Sequence, residues 1–408
     1  MSQSRTAEDG ADVRFFSSRQ LQLICAISLT TIVGQSLISP ALPTIGNALN
    51  VAPEQIGLVI TAFTLPGIFF VPITGVLADR YGRRTIIIPL LFLYGLAGAA
   101  SGFAPDFETL LALRFLTGIA AGSLGSLSIV LVADYFSDRQ RPRVFGIRMA
   151  IGQVGNATVP LVAGGLAVIG WQYPFLLYAF AIPVGLFAIR VMERDRPEEG
   201  SGLGIYLART MAAVSSRRIL SLLTIPFSLT IVNHGINLTF IPVLMELSFG
   251  ASAFTIGIIV SARVAVGAVF AFNLGHLAER FGEVNLLYVA FAAFGISLLI
   301  TPLMPSVWWM LLPSMLAGVN TGMAFPSFQS ILVRQAPEGS LAGIMAANSV
   351  TARIGQTLGP LLAGMGFTLI GLEMVFVAAA MIIFVALTFL AFALRRYRIG
   401  DRPADAAP

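Results

Sequence analysis

An all-α polytopic membrane protein, with twelve transmembrane helices in two pseudo-symmetric six-helix bundles, follows from three features of the sequence. The first is composition: 56% of the 408 residues are hydrophobic and 11% are charged, against about a quarter charged in a soluble domain. So few charges cannot cover a water-facing surface. The second is a series of apolar runs of about 20 residues, the length that crosses ~30 Å of hydrocarbon at 1.5 Å per residue. The third is a repeat, since residues 55–84 and 255–284 align without gaps and share ten identities.

The runs lie at 20–45, 55–78, 85–104, 107–134, 145–170 and 172–192, and then, beyond a polar stretch, at 219–246, 255–278, 284–304, 307–333, 341–369 and 372–394. They divide the chain into an N-terminal tail and bundle (1–192), a central linker (193–217) and a C-terminal bundle and tail (218–408). The first 18 residues are polar and hold no signal-peptide hydrophobic segment, so span one is expected to direct insertion. Of 25 basic residues, all arginine, 22 fall in tails or loops on one side, from Arg5 and Arg14 through Arg83, Arg84, Arg141 and Arg148 to Arg398 and Arg402. The opposite loops hold Glu54, Asp106, Glu108, Glu246 and Glu373 and no arginine. This positive-inside bias puts both termini in the cytoplasm of a plasma membrane, the inner membrane of a bacterium.

Composition also excludes chemistry. Without a lysine, the chain can carry neither a P-loop nor a Schiff base, so energy comes from a gradient or from another component. The one cysteine, Cys25, leaves no intramolecular disulfide and no zinc site. No cofactor and no nucleic-acid partner is expected, and the spans lack the clustered His, Cys and acidic residues of a membrane enzyme.

The repeat extends beyond one loop. "LTGIAAG" at 116–122 meets "LAGVNTG" at 316–322, and "GNATVPLVAG" at 155–164 meets "GQTLGPLLAG" at 355–364. A constant offset of 200 thus aligns spans two, four and five with eight, ten and eleven. Halves of like orientation pack about an axis along the membrane normal, with a cavity between them.

Within that repeat, "GVLADRYGRR" at 75–84 and "GHLAERFGEV" at 275–284 set an acid and an arginine between glycines at a span end. Asp79 can cap a neighbouring helix or pair with arginine, while Gly75 and Gly82 let backbones approach. Positive-inside anchoring explains Arg83 and Arg84 but not the acid, which suits a latch.

These motifs resemble those of the major facilitator superfamily, and the likeness covers nearly all of the chain. "GVLADRYGRR" resembles that family's loop between spans two and three, and "LLALRFLTGIAAG" at 110–122 its span-four motif, with Thr117 where glutamine is common. "VGQSLISPALP" at 33–43 resembles the span-one motif of twelve-span drug-type exporters. Span five resembles the antiporter motif at Gly146, Gly155, Pro160 and Gly164, though Val159 and Ala163 replace glycines. The resemblance implies secondary transport by alternating access, with spans one, four, seven and ten around the cavity. It implies a conformational latch at Gly75, Asp79, Arg80, Gly82 and Arg83, repeated at Gly275, Glu279, Arg280 and Gly282, that ties helices when the cavity faces outward. It associates Arg114 with proton coupling.

Polar residues inside spans are costly, about 3 kcal/mol for a central arginine, and are functional candidates by default. In span eleven, Asn348, Ala352, Gly355, Gly359 and Ala363 form a small-residue seam, and Arg353 lies about 200° around the helix from Gly355, beside Ser349, Gln356 and Pro360. Gln153 and Asn156 hold the equivalent places in span five. Asn233, His234 and Asn237 share one side of span seven, and Gln35 lies in span one. Counting from span ends puts His234, Asn320 and Arg353 near mid-membrane and Arg263 nearer the outer side. Each Asn and Gln is open to two readings, interhelical glue or substrate contact. No Asp or Glu lies in the interior of a span, which leaves His234 as the deep side chain that titrates near neutral pH and as a second coupling candidate.

Three functions stay open on these residues. One is export of a small organic compound, with proton antiport as a coupling mode. Another is import or exchange of an organic anion, which embedded arginines without acids favour, so that the cargo is anionic or amphiphilic. The last is a non-transporting sensor or scaffold, for which short tails and a central segment of roughly 25 residues leave little room. A monomer is the expected unit.

Overall fold

The computed structural model describes residues 18–193, 217–335 and 341–396. Most of the 193–217 linker and the tail arginines Arg5, Arg14, Arg398 and Arg402 lie outside the described residues. Among the described residues every regular element is helical.

Among the described residues, ten helices are long and apolar enough to cross a membrane. In chain order they are α1 (Arg19–Ala48), α2 (Leu58–Tyr81), α3 (Arg83–Phe103), α4 (Phe107–Tyr135), α5 (Arg141–Ile169), α6 (Tyr173–Val191), α7 (Leu222–Phe249), α8 (Ala253–Phe272), α9 (Glu283–Leu303) and, last, α12 (Leu372–Phe392). Between them run α10 (Leu311–Gln335) and α11 (Leu341–Ile370), of 25 and 30 residues, which are long enough to span but less apolar. Their polarity has a cause, for they carry Asn320, Thr321, Asn348, Arg353 and Gln356.

Local sequence explains where the helices begin and break. The Asp106 carboxylate accepts from the Thr109 amide at 2.8 Å and starts α4. That bond holds the Asp106 carboxyl below its ordinary range. In α1 the "LISPALP" stretch interrupts the helix with a tight turn at Ser39–Ala41, where Pro40 lacks an amide donor. Within α7, Asn233–Phe240 winds as a π-helix. Gly82 and Gly282 close α2 and the extension of α8 (Leu274–Phe281) at φ 89° and 78°, a region in which a side chain is strained.

The repeat is realised as packing register. A Cβ on Gly118 would lie 2.1 Å from the Phe63 carbonyl oxygen, and one on Gly318 2.4 Å from that of Arg263, so α4 meets α2 as α10 meets α8. The α11 seam lies against α7, with Gly359 against Ile231 O and Gly355 against Thr230.

Between the halves, α5 packs on α8 and α11 on α2. A Cβ on Gly257 would approach Pro160 O to 2.6 Å, one on Gly164 Ala253 O to 2.4 Å, and one on Gly364 Glu54 O to 2.4 Å. Hydrogen bonds join the halves nearby: Ser39 Oγ donates to Leu238 O at 2.7 Å, Asn47 Nδ2 to Glu246 Oε1 at 3.1 Å and Thr61 Oγ1 to Thr357 O at 3.2 Å. All lie toward the end remote from the 75–84 loop. At the loop end a Cβ on Gly75, Gly125, Gly146 or Gly275 would meet nothing within 4 Å. Among the described residues the bundle is sealed at one end and splayed at the other. In this conformation the neighbourhood of Gly75 is open, and Gly82 serves the chain through its φ.

Candidate functional site: the interface cavity and the loop-end ion pairs

Below the seal lies a cavity of about 40 Å³. Its walls come from both halves: Gln35 of α1, Arg114 of α4, His234 of α7, and Arg353 and Gln356 of α11 all line it. No Asp or Glu does.

Arg114 is 1% exposed. Its Nη1 donates to the Tyr178 hydroxyl at 2.6 Å, and that hydroxyl donates in turn to Gly34 O at 3.1 Å. The guanidinium lies over the Phe63 ring at 4.3 Å, while its buried Nε finds no hydrogen-bond partner. A ring face and a phenol thus stand where a carboxylate would be expected beside a buried cation.

Arg353 reaches across the interface. Its Nη2 approaches Gly122 O of α4 at 3.4 Å, and a Cβ on Gly67 would come within 2.7 Å of its Nη1. Two glycines of the other half therefore leave the room this side chain occupies. His234 accompanies it, its Nδ1 3.1 Å from the Thr230 carbonyl oxygen. Because a carbonyl only accepts, Nδ1 carries the proton and Nε2 is the atom left to take up another.

Other polar candidates point elsewhere. Arg263 is buried and donates from Nη1 to Asn233 Oδ1 at 3.0 Å, the same oxygen that accepts from Asn237 Nδ2 at 3.1 Å. These three form a private α7–α8 network and do not line the cavity. Asn320 donates to Ala290 O at 3.2 Å, binding α10 to α9, and Asn156 accepts from Ser36 at 2.6 Å, binding α5 to α1. Both are interhelical contacts. Gln153 is half-buried and lies outside the cavity lining. Arg148, read as a loop arginine, lies inside α5 and donates to Ser28 and Ser128 at 2.9 Å each. Its depth is hidden in the sequence because it stands only three residues inside the apolar run that begins at 145, next to the loop arginines Arg141 and Arg143.

At the splayed end, Arg83 bridges Asp79 of α2 and Asp134 of α4, the latter at 3.1 Å. Arg80, expected beside Asp79 in the latch, is exposed and lies over Tyr81, just as Arg280 lies over Phe281. In the second half Glu283 pairs with Arg334 and accepts from Ser330. Glu279 is exposed and has no ion pair among the described residues. Arg83 and Asp134 stand 200 residues from Glu283 and Arg334, so the repeat conserves the pair while reversing its sign. Comparing the repeats for identities alone conceals this; comparing charges reveals it.

Two sets of six helices, sealed glycine-on-carbonyl around a polar cavity, describe a carrier, and a family model described as Major Facilitator Superfamily matches residues 24–233 and 222–407. The chain belongs to the major facilitator superfamily. As a member it is a multi-pass membrane transporter and not an enzyme. Multidrug resistance protein 1 of Bacillus subtilis (strain 168) is 27% identical over 87% of this chain and 92% of its own length. The class B tetracycline resistance protein of Escherichia coli is 26% identical over 85% and 87%. Among solved structures, the nucleoside transporter NupG superposes with TM-score 0.77 at 14% identity, covering 92% of this chain and 99% of its own. A bacterial homolog of the human lysosomal transporter Spinster gives 0.75 at 19% identity, covering 95% and 99%.

Proposed function

We propose that this transporter exports a small organic compound from the cytoplasm by alternating access in the inner membrane. The carrying observation is the one-ended seal above a polar cavity built by both halves. Positive-inside bias supports an orientation in which the splayed end, with Arg80, Arg83, Arg84, Arg141 and Arg280, faces the cytoplasm. The cavity is then in the state that loads an exporter. Resistance functions in the relatives' names support outward transport. Counterflow in proteoliposomes with labelled anionic, cationic and neutral compounds tests this reading; no counterflow with any class would return the chain to a sensor or scaffold. Import or exchange of an organic anion is the second reading, favoured by Arg114 and Arg353 in a cavity without an acid.

For proton antiport, His234 is the carrier that the cavity offers. His234→Gln is expected to abolish the response to an imposed pH gradient while exchange of substrate continues. Unchanged proton-driven accumulation in that variant would reject the role.

The loop-end pairs support a latch that acts during reorientation. Asp79→Asn is expected to lower turnover several-fold without loss of expression or binding, since it perturbs exchange between states and does not touch the cavity. Glu279→Gln should be milder, because Glu279 gives up no ion pair in the state described here. Full turnover of purified Asp79→Asn protein would remove Asp79 from the cycle.

A further inference from the structure

We infer that the interface cavity is an oxyanion site, in which a carboxylate, sulfonate or phosphate group of the cargo is held between Arg114 of the N-terminal half and Arg353 of the C-terminal half. This rests on the transport reading above and names the substrate class.

Three observations carry it. Guanidinium groups from opposite halves line one cavity that no carboxylate lines. Arg114 is under-satisfied, its Nε buried without a partner and its charge facing the Phe63 ring. A guanidinium offers five N–H donors in a planar fork, and an oxyanion accepts them in pairs. The third is room. Gly67 and Gly122 hold open the place of the Arg353 guanidinium, and the cavity of about 40 Å³ has the size of about three waters. That suits an anionic head group, with the body of the cargo lying toward the splayed end.

The arrangement also has a vectorial sense. Gly122, against which Arg353 lies, is two helical turns from Arg114 on the same face of α4, about 12 Å at 1.5 Å per residue. Arg353 is nearer the splayed end, so an anion entering from there meets it first and Arg114 last, next to the seal. An oxyanion passing from Arg353 to Arg114 neutralises in turn charge on both sides of the interface that must move during reorientation. Loaded carriers should therefore reorient faster than empty ones, and exchange should outrun net flux. Export of an anion also runs with an inside-negative potential, about tenfold in steady-state ratio per 59 mV per charge. Such a transporter can drive export without a carboxylate inside its spans.

The test uses purified full-length protein and matched probes: benzoate with benzamide, benzenesulfonate with benzenesulfonamide, and 2-naphthoate with 2-naphthamide. Binding is followed by calorimetry in detergent, and counterflow in liposomes. Wild type is expected to bind the anions and not the neutral amides, and Arg353→Gln to weaken the anions about tenfold or more, as loss of a charged hydrogen-bond pair implies. Gly67→Ala keeps the arginine but pushes a methyl toward it, and should weaken anions in the same direction if Arg353→Gln fails to fold. Equal binding of anions and amides, equal loss of both in Arg353→Gln, or binding of chloride alone would overturn the site. Selective anion binding without counterflow would keep the site and overturn transport; counterflow that favours the amides would do the reverse.

Discussion

Gly257→Val is expected to reduce transport by roughly tenfold or more while the protein still inserts, because it wedges apart the seal that defines the conformation seen here. The Cβ alone would stand 2.6 Å from the Pro160 carbonyl oxygen of the other half, and two γ-methyl groups follow it. A backbone carbonyl inside α5 cannot rotate away as a side-chain tip can. Overpacking of this kind costs about 1–3 kcal/mol, and if it falls on one of two conformations it moves their ratio about 5- to 150-fold. The variant should therefore populate the state with the seal open. The single native cysteine makes this measurable: in a Cys25→Ser background, Ser39→Cys places a thiol in the seal, where Ser39 is 1% exposed. Labelling by a membrane-impermeant maleimide should be slow in that background and fast once Gly257→Val is added. Gly75→Val is the contrast, since its Cβ meets nothing within 4 Å in this state, and it should leave Ser39→Cys labelling slow. Unchanged labelling and turnover in Gly257→Val would mean that the α5–α8 contact is not a moving seal.

Depth in the membrane was legible in the sequence, and direction around the helix much less so. Run length is set by bilayer thickness, which is why the twelve helices stand where the apolar runs do. The offset-200 repeat carried further, because glycines at helix crossings fix register: Gly118 and Gly318, like Gly57 and Gly257, meet equivalent backbone in both halves. Hydropathy, in contrast, says nothing about which face meets the cavity. In α11 a regular wheel separated Arg353 and Gln356 from the Gly355–Gly359 seam. In α7 the same reasoning failed, because Asn233 and His234 are sequence neighbours and stand about 100° apart around the helix. His234 and Leu238 face the cavity while Asn233 and Asn237 turn to Arg263. Arg114 and Arg353 lie far apart in sequence, and only the docking of two halves makes them neighbours of one cavity.

Arg83→Glu should lower both folded yield and transport, about tenfold or more in the latter, and the rescue of that defect separates assembly from the transport cycle. In the native protein Arg83 stands between Asp79 and Asp134; replacing it with glutamate gathers three acids at the junction of α2, α3 and α4. Adding Asp134→Arg rebuilds the pair with reversed sign, which copies Glu283–Arg334 of the other half. That half also shows the copy to be tolerable, because Glu279 and Glu283 stand four residues apart there and, among the described residues, no arginine bridges the two. Folded yield should therefore return in the double variant. Members of one ion-pair network couple by about 0.5–3 kcal/mol, and the Asp134 side chain is 37% exposed, so the lower end and a decline with added salt are expected. Transport should stay low, since Asp79 now faces a glutamate and has lost its partner in this state. A double variant that folds no better than Arg83→Glu would show that the reversed pairs are not equivalent braces. One that recovers yield and transport together would show that the Asp79–Arg83 contact, present in one half and absent from the other, contributes nothing to reorientation.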